Sequence, residues 1–177
     1  TVTIAVSPPG SLFFDDFARS TNADPLAPWV PALGNWTITN GVLQGVNTGS
    51  GALANAYVAG NWTNYSVEGR IQFPGHGGWG GLSARVDPLS GASYTAVVYP
   101  EWATGGTALL RLWKFQTWRI FGTAMQQVNL PGPVGNNWHT LKLTVRNSRI
   151  RVSYDGNDMF EVTDNGFGGQ PAFTSGG

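Results

Sequence analysis

The chain has 177 residues, ten of them basic and ten acidic, and therefore a formal net charge of zero. That balance creates no positive field of the kind that gathers nucleic acid or an anionic membrane surface. No apolar run reaches the roughly 18 residues that a bilayer-spanning helix needs, so neither nucleic-acid binding nor membrane insertion is expected.

Charged residues make up only 11% of the chain, while Gly contributes 25 residues, Pro 11 and Trp 8. This composition suits short strands joined by many turns and predicts an all-β protein. Cysteine is absent, which removes disulfide and thiol chemistry and leaves the compartment open. Eight Arg stand against two Lys, Lys114 and Lys142, among many Asn, Thr, Ser and Gly, a surface that points outside the cell or to its exterior face. Thr1–Gly10 has no basic segment followed by an apolar stretch, so any export signal is expected to have been removed already.

Taken in order, Thr1–Val6 alternates polar with apolar residues and ends at Ser7-Pro8-Pro9-Gly10, which predicts a strand and a linker over residues 1–11. Residues 12–177 fit one domain, large enough to hold a core without cross-links. Strands are expected over Leu12–Phe17, Trp36–Thr39, Val42–Val46, Ala52–Val58, Tyr65–Phe73, Gly81–Val86 and Ser93–Tyr99. They continue over Ala108–Lys114, Trp118–Thr123, Thr140–Arg146, Ile150–Tyr154 and Phe160–Val162.

The alternation is strict in places. Tyr65, Val67, Gly69, Ile71 and Phe73 share one face, and Leu141, Leu143 and Val145 answer Ile150, Val152 and Tyr154 across an Asn147-Ser148 turn. Asp155-Gly156 predicts the next hairpin, because both turn residues must take positive φ. Two stacked antiparallel sheets follow as the architecture, a two-sheet β-sandwich.

The run Leu12-Phe13-Phe14-Asp15-Asp16-Phe17, then Trp29, then Trp36-Thr37-Ile38-Thr39-Asn40-Gly41-Val42-Leu43 resembles the opening of bacterial concanavalin A-like sandwich domains. Tyr65-Ser66-Val67-Glu68, Gly81-Leu82-Ser83-Ala84-Arg85, Tyr94–Tyr99, Trp138–Leu143 and Tyr154-Asp155-Gly156 continue the likeness in order, over residues 12–164. The order and spacing are similar to the laminin-G-like superfamily and imply its jelly roll. Domains of that kind usually bind glycans, often as modules appended to glycoside hydrolases, and some are themselves hydrolases or lyases. Many hold a structural calcium ion, and the resemblance puts Asp15 and Asp16 where a calcium ligand is expected. Similar domains continue after a Ser-Gly-Gly segment into a further Gly-rich strand and a final strand, whereas here the sequence stops at Gly177. Either that last strand is missing, or Thr1–Val6 or a partner chain supplies its pairing at an open sheet edge.

Glycoside hydrolysis needs two carboxyls, about 5 Å apart for retention or up to about 9.5 Å for inversion. The Glu-x-Asp-x-x-Glu run of retaining laminarinases is absent, and in Glu161-Val162-Thr163-Asp164 the odd spacing sends the two carboxylates to opposite faces. His76 and His139 form no zinc set or triad, and His139 has core parity. Gly75–Gly81 lacks the Lys-Ser/Thr and helix of a nucleotide loop and suits a binding-site loop.

Eight Trp exceed what a small core needs. Sugar rings stack their C–H faces on aromatic planes while Arg, Asn, Gln and Asp bond the hydroxyls. Core parity at Ala108, Leu110 and Leu112 sends Arg111 and Trp113 to the opposite face, and Arg85 opposes Leu82, Ala84 and Val86. Trp79, Trp102 and Trp118 fall in or beside neighbouring loops, and Tyr99 ends a strand. The expected ligand-binding set is therefore Trp79, Arg85, Tyr99, Trp102, Arg111, Trp113 and Trp118, with Trp36, Trp62 and Trp138 assigned to packing. Arg85 and Arg111 have a second reading as ion-pair partners of Glu101 or Glu68.

Non-catalytic glycan binding is the expected function. One alternative is a structural subunit or adhesin of an extracellular assembly built by strand complementation. The other is a hydrolase or lyase using Arg85, Glu101 and Tyr99.

Overall fold

The computed structural model describes residues 2–3, 10–19, 26–49, 53–118 and 123–177. Its strands are β1 (Val2–Thr3), β2 (Val30–Leu33), β3 (Asn35–Thr39), β4 (Val42–Val46), β5 (Asn55–Tyr57), β6 (Tyr65–Ile71), β7 (Gly80–Ala84) and β8 (Ser93–Tyr99). After a single helical turn, α1 (Glu101–Thr104), come β9 (Leu109–Phe115), β10 (Gln126–Asn129), β11 (His139–Arg146), β12 (Arg149–Tyr154) and β13 (Asn157–Thr163). They form a seven-stranded sheet in the order β13-β12-β11-β6-β1-β4-β3, a four-stranded sheet β10-β9-β8-β7, and a two-stranded sheet β2-β5. Every pairing is antiparallel. Among the described residues no helix is long and apolar enough to cross a membrane.

Alternation sets the core. Ile71, Leu141, Leu143, Val145, Ile150 and Val152 of the larger sheet meet Leu82, Ala84, Tyr94, Ala96, Val98, Leu110 and Leu112 of the smaller one. Burial of each large apolar side chain among these contributes about 1.5–3 kcal/mol. The β11–β12 hairpin turns at Asn147 (φ 51°), and Asp155 (φ 49°) with Gly156 (φ 79°) forms the anticipated turn into β13.

Three expectations are corrected. Leu12–Phe17 is not a strand: the Asp15 and Asp16 carboxylates accept the N–H groups of Phe17 and Ala18, at 2.8 and 2.9 Å, and Phe17 takes φ 58°. Such local bonds compete with a ladder. The strand expected over Gly81–Val86 ends at Ala84, because Arg85 turns to φ 55°. Trp118, expected to begin a strand, is a bend residue outside any strand, and residues 119–122 lie outside the described set. β2 and β10 were not anticipated by the pattern; β2 carries Pro31, which suits an edge strand.

Of the segment Thr1–Val6, Val2–Thr3 inserts between β4 and β6, with Val2 opposite both Leu43 and Ile71. At the other terminus, Gly176 exchanges backbone hydrogen bonds with Trp62, and Gly177 does so with Val86.

Candidate functional site

The outer face of the four-stranded sheet is apolar where it turns away from the main core. Val97 and Tyr99 on β8, with Trp113 and Phe115 on β9, form a second buried cluster against Leu53, Leu109 and Ala124. At its margin the Trp79 ring lies 5.2 Å from the Tyr99 ring, and the Arg111 guanidinium sits 4.7 Å over the same tyrosine. Arg111 donates through Nε to Gln127 Oε1 on β10 at 2.6 Å, and Trp113 Nε1 donates to Tyr99 Oη at 3.2 Å. Burial raises the Tyr99 pKa, only partly offset by the Trp113 donor and the Arg111 charge. The phenol is therefore held neutral, as a buried support. Trp79 is 39% exposed, Arg111 half-buried and Gln127 exposed, so these three form the accessible margin of the platform.

Four of the seven expected residues thus come together: Trp79, Tyr99, Arg111 and Trp113. Gln127 joins them without having been singled out, because β10 has no clear alternation; its register opposite Arg111 is what places it there.

Arg85 does not join them. It is 1% exposed, at the end of β7 remote from Tyr99, since Ala84 pairs with Tyr94 whereas Gly80 pairs with Val98. Its Nε and Nη2 donate to the Thr63 carbonyl at 3.0 and 2.6 Å, and its Nη1 donates to Asn147 O at 2.6 Å and to Phe173 O. Desolvation pulls its pKa below the ordinary arginine value. Alternation fails for it because the strand has already ended and the left-handed backbone turns the side chain inward. The ion-pair reading of Arg85 with Glu101 or Glu68 is excluded by the same contacts.

Trp102 packs from α1 against the main core and lies 4.6 Å from the His76 ring, while its buried Nε1 has no hydrogen-bond partner among the described residues. Trp118 stacks near Tyr57, 5.6 Å between centroids, and lies so close over Gly91 that a Cβ there would come within 2.4 Å of the indole. Neither belongs to the platform. Trp138 carries the Arg70 guanidinium 5.3 Å over its ring, as a packing residue at the sheet margin. Trp36 lies over Gly45, yet with Trp29, Tyr57 and Trp62 it also lines a cavity of about 610 Å³, which parity gives no way to foresee.

Carboxylates are engaged elsewhere. Glu101 accepts the N–H groups of Val134 and Gly135 at 2.9 and 3.2 Å; burial raises its pKa, but its own N–H and these two outweigh it and hold the carboxyl low. Glu161 binds Arg151 on the outer surface at 2.9 Å, whereas Asp164, which follows the last residue of β13, is buried against Lys114 at 2.8 Å, so the two carboxylates do not face one site. The Arg85, Glu101 and Tyr99 constellation is not assembled.

Asp15 does not fit a calcium ligand either. Its two oxygens take both Arg19 Nη atoms, at 2.8 and 2.6 Å, the Trp29 indole at 2.8 Å and the Phe17 N–H. Burial raises the Asp15 pKa, but these donors outweigh it and keep the carboxylate low. A cation there would have to displace a guanidinium, and among the described residues no three His, Cys, Asp or Glu gather to assist. Asp16 is exposed and accepts the Ala18 N–H at 2.9 Å.

No family model and no curated protein matches the chain. Among solved structures it is similar to the carbohydrate-binding module CBM66 from Bacillus subtilis, with a TM-score of 0.66 and 19% identity over 84% of this chain and 83% of that one. The chain has the jelly-roll sandwich fold. Within that jelly roll, the aromatic platform occupies the outer face of the smaller sheet and Arg85 ties loops at one end of it.

Proposed function

We propose that this chain is a non-catalytic carbohydrate-binding module, secreted or displayed at the cell surface, whose glycan contact is the margin of the outer face of the four-stranded sheet. The observation that carries the reading is the layered arrangement around Tyr99: Trp79 against one part of the ring, Arg111 over it, and Gln127 fixing Arg111. The exposed Trp79 plane offers an apolar surface to the C–H face of a sugar ring. Arg111 donates through Nε to Gln127, and guanidinium donors not used within the platform can serve sugar hydroxyls. Tyr99 and Trp113 are positioning residues, since burial removes most of their own surface from contact. The fold likeness to a module described as carbohydrate-binding supports the same class.

A pull-down on insoluble polysaccharides together with a glycan array tests this. Trp79→Ala and Arg111→Ala are each expected to weaken binding about tenfold or more while leaving the melting temperature close to wild type. Folded wild-type protein that binds no glycan, or variants that bind as well as it does, would overturn the reading.

A further inference from the structure

The outer face of the seven-stranded sheet carries a second concavity, about 740 Å³, and its lining contains no apolar side chain. Its centre is internally paired. Lys142 meets Glu68 at 3.0 Å, Arg151 meets Glu161 at 2.9 Å and Asp158 at 3.1 Å, and Ser66 bonds Thr144 at 2.8 Å. One end is not paired in this way. Arg146 and Arg149 stand directly opposite each other across the β11–β12 hairpin. Like charges in that register destabilise a sheet. Arg149 finds its carboxylate, Glu161, only at 4.0 Å, and Glu161 already accepts both Nε and Nη2 of Arg151. Arg146 has no carboxylate within ion-pair distance among the described residues.

We propose that this groove binds an acidic polysaccharide, with a carboxylate or sulfate group of the polymer seated between Arg146 and Arg149. Two facing guanidinium forks match the planar or tetrahedral oxygens of such a group, and an anion between them relieves the repulsion built into the hairpin. The rest of the groove decides between classes of polyanion. Four cations there face three carboxylates, Glu68, Asp158 and Glu161, with hydroxyls of serine and threonine between. The phosphodiester backbone of duplex DNA offers those carboxylates no hydroxyl donor, and no aromatic ring lines the groove for bases to stack on. An acidic sugar chain instead carries free hydroxyls beside its charged groups, and these can donate to the same carboxylates. This site is separate from the aromatic platform and does not depend on it.

Affinity electrophoresis of the full chain in gels holding polygalacturonate, dextran sulfate, uncharged dextran or duplex DNA tests the proposal, with Arg146→Gln/Arg149→Gln and Trp79→Ala beside wild type. Retardation is expected in polygalacturonate or dextran sulfate, the two gels distinguishing carboxylate from sulfate. It should fall about tenfold or more between about 50 and about 300 mM salt. The double arginine variant should lose it while melting no lower than wild type, and Trp79→Ala should keep it. No retardation in either acidic gel, or equal retardation of the double variant, overturns the proposal. Retardation as strong in DNA would make the groove a general polyanion site and overturn its assignment to glycans.

Discussion

The region around Arg85, Lys114 and Asp164 and the outer face of the four-stranded sheet reverse the usual arrangement in opposite directions. The first buries charge: Arg85 is 1% exposed, and the Lys114–Asp164 pair is wholly enclosed, with Lys114 also donating to the carbonyls of Phe167 and Gln170. The second puts aromatic rings on the side of a sheet away from the main core. The contrast shows that facing and exposure are separate properties. Buried cations persist where backbone carbonyls from several loops converge on them, so their contribution is to fix the chain's ends and turns in place. The outward rings persist because neighbouring chain covers most of them, and among the described residues Trp79, Arg111 and Gln127 form the accessible margin.

The largest expected effect breaks the buried side of that contrast. Arg85→Met leaves the carbonyls of Thr63, Asn147 and Phe173 without their donor and is expected to cost about 3 kcal/mol or more, read by urea unfolding. Arg111→Met, a change of the same chemistry on the outer face, should stay within about 0.5 kcal/mol of wild type. Equal losses in the two would mean that the arginines do not differ as their surroundings indicate.

A smaller effect separates charge from packing at Asp164. Burial raises the pKa of its carboxyl, but Lys114, the Tyr94 hydroxyl and the Phe167 N–H outweigh that and hold it below the ordinary 3.8. A lowered folded-state pKa means that its contribution is fully present above 3.8 and is lost as pH falls through the folded value. Asp164→Asn should therefore be less stable than wild type near neutrality, with the gap narrowing as pH falls from about 5 to about 2. Parallel stability curves across that range would show that the ion pair carries no such linkage.

The sequence makes the sandwich legible because alternation is strict wherever one face of a strand meets the core, as in Leu141, Leu143, Val145 and their partners on β12. It also places Arg111 and Trp113 on one outer face, since β9 keeps its register to the end. Legibility stops where the backbone leaves the strand conformation. Arg85 follows the last residue of β7, so counting by twos assigns it the wrong surroundings. Asp15 is read as a metal ligand by position, but its fate is decided by Arg19 and Trp29, one of them fourteen residues away. Trp118 and Trp102 lie outside strands, where parity has no meaning and packing over Gly91 or against His76 settles their place. Gln127 stays hidden for a related reason, because only the partner strand reveals which way β10 faces.

The smallest effect sharpens the outer-face side. Trp113 is 9% exposed, and if its role is to hold the Tyr99 hydroxyl, removal of the indole donor should act through Tyr99. Trp113→Phe keeps the ring's apolar bulk against Phe115 while deleting Nε1, at an expected cost of about 1 kcal/mol in stability. The Trp113 donor lowers the Tyr99 pKa against the upward push of burial, so the variant's phenol should titrate at higher pH than wild type's, followed by ultraviolet difference absorbance. Glycan affinity should fall by less than in Trp79→Ala, because the platform loses alignment and keeps its exposed plane. If affinity instead falls as far as in Trp79→Ala, Trp113 touches the ligand itself, and the accessible surface of the site extends further along β9 than the three marginal residues.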